Sequence, residues 1–142
     1  MTELFKKYGV KIAYIFGSQK EKGIAFLKGE TVDVERYSDL DIGVVFDKLP
    51  QKKFETYGDL YLDLSLLFKP FNIDIVFLQE TDALFQYEAI KGALIYSEDE
   101  SFLDDYEEMT AKQAADLSYK KIEFEKDFLE AVKDGYFEIA DR

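Results

Sequence analysis

Three short β-rich runs, two of them interrupted by carboxylates, constrain this chain more than any other feature. Val10-Lys11-Ile12-Ala13-Tyr14-Ile15-Phe16 is mostly apolar, as a strand buried on both faces must be, and it runs straight into Gly17-Ser18. Asp39 to Phe46 reads as a second strand, with Pro50 after its end, and Asn72 to Leu78 as a third. Between the second and third, Phe54, Tyr57, Tyr61, Leu64 and Phe68 recur at spacings of 3 and 4, so Gln51 to Phe68 is expected to be an amphipathic helix with this stripe in the core, broken by Pro70. Gln19 to Ser38 is polar and aperiodic and reads as a long loop with room for a helical turn.

The remaining elements are read from caps and breakers. Thr2 is a candidate cap for a helix through Tyr8, ended by Gly9. Thr81 to Lys91 reads as a capped helix closed by Gly92, and Ala93 to Tyr96 as a short edge strand. Beyond Ser101 the chain reads as helical to about Lys133, with Phe102, Tyr106 and Met109 on one stripe. Tyr106, Tyr119 and the Phe124/Phe128 region either meet a partner or a second copy, or close the core; the second is the expectation. The order of elements implies an α+β (α/β-like) fold, a small mixed β-sheet flanked by helices. Length fits a single domain over 1–142, with its core in about 1–100 and a helical tail over about 101–142. There is no repeat, low-complexity tract or Pro/Gly/Ser linker.

In a strand, residues i and i+2 share a face. Asp39 and Asp41 are therefore expected to project together, while Leu40, Ile42 and Val44 point to the apolar side. Asp74 likewise stands on the face opposite Ile73 and Ile75. Charge inside an apolar run is expensive unless something compensates it, and close carboxylates repel. A divalent cation between them removes both objections, and magnesium suits an all-oxygen site completed by waters and phosphates. Taken singly, Asp-x-Asp is a common solvated strand end and Gly-Ser a common turn; the combination and its order carry the signal.

Composition narrows the chemistry by exclusion. The 142 residues contain no Cys and no His, which removes disulfides, thiolate metal sites, imidazole bases and Ser-His triads. Catalysis would rest on carboxylates, hydroxyls, Lys or Arg and a hard cation. A hydrophobic fraction of 47%, with 13 Phe and 10 Tyr, supplies a core and argues against disorder. The net charge of −12 makes direct nucleic-acid binding a poor expectation and suits a basic protein partner, against the equal alternative that it serves solubility alone. No apolar run approaches the roughly 18 residues of a membrane span, and Met1 to Lys7 lacks the apolar core of a secretory signal, so a cytoplasmic location is expected.

The pattern resembles the minimal nucleotidyltransferases of the DNA polymerase beta-like nucleotidyltransferase superfamily. The residues that carry the likeness are Tyr14-Ile15-Phe16-Gly17-Ser18, Ser38-Asp39-Leu40-Asp41-Ile42-Gly43-Val44-Val45, Ile73-Asp74-Ile75-Val76 and Tyr87 to Tyr96. It covers roughly the first 100 residues. The departure is the stretch Gln19 to Ser38, about twice the family's usual spacer; were it to displace Gly17-Ser18 from the carboxylates, catalysis would be lost.

The resemblance implies a nucleotidyltransferase fold and a metal-dependent reaction. Gly17 and Ser18 would bind the nucleotide's phosphates, Asp39, Asp41 and Asp74 would hold magnesium (two ions), and Asp74 would help deprotonate the attacking hydroxyl. Lys20, Lys22, Lys28 and Arg36 are candidates for neutralising phosphate charge, against the alternative of ordinary solvated lysines. The donor would be ATP and the group transferred AMP. The resemblance further implies an antitoxin role, with a tyrosine of a HEPN-type ribonuclease toxin as acceptor. Two rivals remain at this stage: transfer to a small molecule such as an aminoglycoside, and a catalytically weak module that neutralises its partner by docking alone.

Overall fold

The computed structural model describes residues 1–34 and 38–135. Four strands form one mixed sheet in the order β3-β2-β1-β4: β1 (Val10–Phe16), β2 (Leu40–Phe46), β3 (Ile73–Phe77) and β4 (Ala93–Ser97). β1 pairs antiparallel with β2 and with β4, whereas β2 and β3 run parallel. A parallel pair needs a crossover, and the helix α3 (Lys53–Leu67) supplies it. The apolar runs of β1 and β2 are explained by their central place, since both faces of each are covered. Ile12, Ala13 and Ile15 are fully buried in β1, as are Leu40, Ile42 and Val44 in β2.

Two apolar layers sandwich the sheet. On one face Ile42, Val44, Ile73 and Ile75 pack with Phe5 of α1 (Thr2–Lys7) and with Leu60, Leu64 and Phe68 at and beyond α3. On the other, Ile12, Tyr14 and Val45 meet Leu78, Ala89 of α4 (Ala83–Ile90) and the first turns of α5 (Glu100–Lys133), through Phe102, Leu103 and Tyr106. Tyr14 Oη donates to Glu107 Oε1 at 2.7 Å, tying α5 to the central strand. Caps close α4 and α5: Asp82 accepts from Phe85 N at 2.8 Å and Asp99 from Ser101 N at 2.9 Å.

Several expectations are corrected. Much of the supposed Gln19–Ser38 loop is a helix, α2 (Lys20–Leu27). Its periodicity is hidden because it meets the sheet through a glycine: a Cβ at Gly23 would sit 2.7 Å from Leu40 Cδ1 and 3.3 Å from Ile15 Cδ1. Close backbone approach to β1 and β2 thus outweighs the low helix propensity of glycine. Thr2 is not a cap; Met1 holds that position, and its carbonyl accepts from Phe5 N.

The α3 stripe holds in part: Leu64 and Phe68 are fully buried and Tyr57 packs against the core, whereas Phe54 is 89% exposed and Leu60, outside the expected stripe, is buried. The α5 stripe is shifted. In α5 Met109 lies outside the buried face, and Thr110 and Ala114 are buried instead. Spacings of 3 and 4 fit two neighbouring stripes on one helix, and only the packing partner selects between them. Tyr106 closes the core, with its hydroxyl on Gln86 Oε1 at 2.8 Å, but Tyr119, Phe124 and Phe128 are exposed. The tail therefore closes the core only as far as Ala114.

Candidate active site

The candidate residues gather at one end of the sheet because three strands end or begin there. β1 finishes at Phe16, opposite Asp41 of β2, and Asp41 stands directly opposite Asp74 of β3. In-register neighbours share a face, so Phe16, Asp41 and Asp74 form a row on the face that α4 and α5 cover elsewhere. Leu40 N donates to Asn72 O at 2.8 Å, which fixes the two strand starts side by side just before the carboxylates. Asp39 precedes β2 and is exposed, as is Asp74, while Asp41 is half-buried.

Gly17 closes the row from the β1 side. Its φ of +81° lies in the left-handed region, and a Cβ there would overlap Asp41 Oδ2. Glycine is therefore required at this position both by backbone conformation and by the carboxylate against it. Ser18 is exposed beside it, and Lys20 N donates to Gly17 O at 3.3 Å as the chain turns into α2. The first amides of α2 thus follow directly on Gly17-Ser18. The long spacer leaves Gly17 against Asp41 and does not displace it.

Electrostatics single out Asp41. Burial first, then the charges of Asp74 and Asp39, push its carboxyl above the ordinary 3.8. None of the three carboxylates has an ion pair or hydrogen bond among the described residues to offset this. The residues thus fit a hard cation: a desolvated carboxylate, two more within its electrostatic reach, and among the described residues no basic side chain paired with them. They do not form a finished cage, and among the described residues no three acidic groups converge closely enough to hold an ion by themselves. Magnesium accepts such a site, since it keeps waters and phosphate oxygens in its shell.

The basic candidates divide. Lys20 and Lys22 lie in the first turn of α2, next to the Gly17-Ser18 turn, and Lys20 pairs with Glu21 at 3.5 Å. Lys28 caps the far end of α2, about 12 Å along the helix, and is separated from the site. Arg36 lies outside the described residues.

Two neighbours escape a reading of the sequence. Phe16 faces Asp41 in register and packs edge-on against Phe85 of α4, ring centroids 5.8 Å apart. Tyr57 of α3 feels the charge of Asp74, which adds to burial in raising its hydroxyl. Phe16 could have been found from its place immediately before Gly17; Tyr57 gives no local signal. A groove of about 610 Å³ between α4 and α5, walled by Tyr87, Lys91, Ala111 and Ser118 among others, touches none of the candidate residues. The carboxylates instead occupy an open sheet end.

Residues 1–101 match the family model described as polymerase beta, nucleotidyltransferase. The chain belongs to that nucleotidyltransferase family. No curated protein matches it by sequence. Solved structures similar to it include a mutant form of the toxin–antitoxin pair MntA–HpeT, at 15% identity and a TM-score of 0.64, covering 89% of this chain and 93% of the other. A toxin–antitoxin with AMP-PNP aligns at 16% identity and a TM-score of 0.61, covering 89% and 94%. A chain of the complex between a tri-AMPylated Shewanella oneidensis HEPN toxin and an MNT antitoxin aligns at 15% identity and 0.58, covering 89% and 91%. At these identities the likeness is one of fold. No helix among the described residues is long and apolar enough to cross a membrane.

Proposed function

We propose that the chain transfers a nucleoside monophosphate, AMP from ATP, to a tyrosine hydroxyl of a HEPN-type toxin and so acts as its antitoxin. The observation that carries the reading is the Asp41–Asp74 pair, set in register against Gly17, with no ion pair to either carboxylate among the described residues. Family membership supplies the reaction class, and a tri-AMPylated toxin in the similar complex supplies the acceptor class.

Each residue then has a task. The turn at Gly17-Ser18 offers backbone amides and a hydroxyl to the β- and γ-phosphates at the start of α2. Asp39, Asp41 and Asp74 are the residues that would hold magnesium, which when bound neutralises the triphosphate and the leaving pyrophosphate. Asp74, on the edge strand and exposed, accepts the proton of the attacking hydroxyl. The acceptor oxygen forms its bond to the α-phosphorus as the bond to the bridging oxygen breaks, and pyrophosphate leaves. The acidic surface favours approach of a basic partner. Docking without chemistry was favoured by the long spacer alone, and α2 removes that support.

The test is incubation of the chain and a HEPN toxin with ATP and magnesium, followed by intact-mass spectrometry. The reading requires a toxin adduct with the mass of AMP and its loss in Asp39→Ala/Asp41→Ala. An unmodified toxin that is nevertheless neutralised by both proteins would overturn it in favour of docking.

A further inference from the structure

Glycine inside a helix costs stability relative to alanine, so it is kept where something must come closer than a side chain allows. Gly23 of α2 meets that condition against Leu40 and Ile15. Gly58, in the interior of α3, does not: a Cβ there would meet nothing within 4 Å. Nothing among the described residues requires this glycine. Phe54, Gly58, Leu62 and Leu66 follow at spacings of 4 and so form a ridge along the helix, turned away from the buried Leu60 and Leu64. Leu62 is 63% and Leu66 67% exposed, and Phe54 more so. Contiguous exposed apolar surface marks a contact surface, and Gly58 is a notch in its middle.

We propose that this outer face of α3 is where the acceptor protein docks, through a helix whose apolar face is bordered by basic side chains; the identity of that protein rests on the transfer reading above. Charge selects the occupant. Glu55 and Asp59 border the ridge; Asp59 makes no ion pair among the described residues, and Glu55 reaches Lys52 only at 3.8 Å. A second copy would bring the same acids and the same net charge of −12 against them, whereas a cationic surface is drawn to them. Position agrees with charge. α3 lies against β3, Tyr57 packing on Phe77 with ring centroids 5.8 Å apart, and β3 is an edge strand. A hollow of about 290 Å³, lined by Lys53, Phe54, Tyr57, Phe77 and Glu80, joins the start of the ridge to that strand. A protein held on α3 therefore stands beside the strand that carries Asp74, the residue assigned to the attacking hydroxyl. The notch at Gly58 lets the partner helix come closer than any side chain there would allow.

Calorimetric titration of the full chain with the HEPN toxin, without nucleotide, tests the surface apart from the chemistry. Leu62→Glu and Gly58→Met are each expected to weaken binding at least about thirtyfold, as the loss of a central contact should, with circular dichroism and magnesium-dependent ATP binding unchanged. Gly58→Ala is expected to melt at a higher temperature than wild type and yet to bind the toxin more weakly, a split that a merely structural glycine would not give. Asp59→Lys is expected to slow association and flatten its dependence on salt. A wild type that does not bind the toxin, binding indifferent to Leu62→Glu and Gly58→Met, a Gly58→Ala chain no more stable than wild type, or self-association in sedimentation that Leu62→Glu abolishes would each overturn the proposal. Binding with these dependences but without an AMP adduct once ATP and magnesium are added would refute the transfer reading and leave the docking surface standing.

Discussion

Gly17→Ala is the sharpest test of the site geometry. The substitution has two separable consequences. An alanine at φ +81° is strained, at a cost of about 1–2 kcal/mol for a left-handed residue with a Cβ. The new Cβ also overlaps Asp41 Oδ2, so the carboxylate or the turn must move; a displacement of order 1 Å in a catalytic group can cost about a hundredfold in rate. Gly29 separates the two effects, because its φ is +84° while a Cβ there would meet nothing within 4 Å. Gly29→Ala should lose about 1–2 kcal/mol by urea denaturation and keep its nucleotidyl transfer. Gly17→Ala should lose at least as much stability and lose magnesium-dependent ATP binding by calorimetry as well. Equal stability losses with intact ATP binding and transfer in Gly17→Ala would refute the claim that Gly17 is reserved for the Asp41 carboxylate.

Three further outcomes are expected. Because the folded state holds Asp41 above its ordinary 3.8, it binds more protons than the unfolded chain just above that pH. Stability on this account falls as pH rises through the window. Asp41→Asn should therefore be more resistant to urea than wild type at neutral pH without metal, the difference vanishing below the ordinary carboxylate range, and should fail to gain stability from magnesium with ATP; a less stable variant at pH 7 would count against the desolvation argument. Leu64→Ala removes a fully buried side chain and should cost about 2–5 kcal/mol, whereas Phe54→Ser, on the same helix but 89% exposed, should stay within about 0.5 kcal/mol. Asp82→Ala removes the acceptor for Phe85 N at the start of α4 and should cost about 1 kcal/mol, read as a lower melting temperature.

Most of the strand framework was legible because it is a local property. Val10–Phe16, Leu40–Phe46 and Ile73–Phe77 announce themselves by composition and by the turn residues that follow. The helices were legible as helices but not as oriented surfaces. In α3 the expected stripe holds at Leu64 and Phe68 but fails at Phe54, while Leu60 outside it is buried, and the sequence holds nothing that marks which edge of the stripe meets the sheet. α2 was missed for a related reason: its contact with the sheet is made by the absence of a side chain at Gly23, which no hydrophobic pattern records.

The chain's own residues determined the chemistry on offer. Without His or Cys, with Gly17-Ser18 ending one apolar strand and Asp39, Asp41 and Asp74 interrupting two others, the set of candidate groups was settled before any fold was known, since the type and alternation of side chains are properties of short segments. Only the tertiary structure decided that Asp41 stands opposite both Phe16 and Asp74, that Asp39 lies outside β2, that Gly17 touches Asp41 in spite of the long spacer, and that the second half of α5 leaves the core. Register, burial and electrostatic coupling arise between residues tens of positions apart. They are set by which surfaces exclude water together, and that is decided by the packing of the whole sheet and its helices.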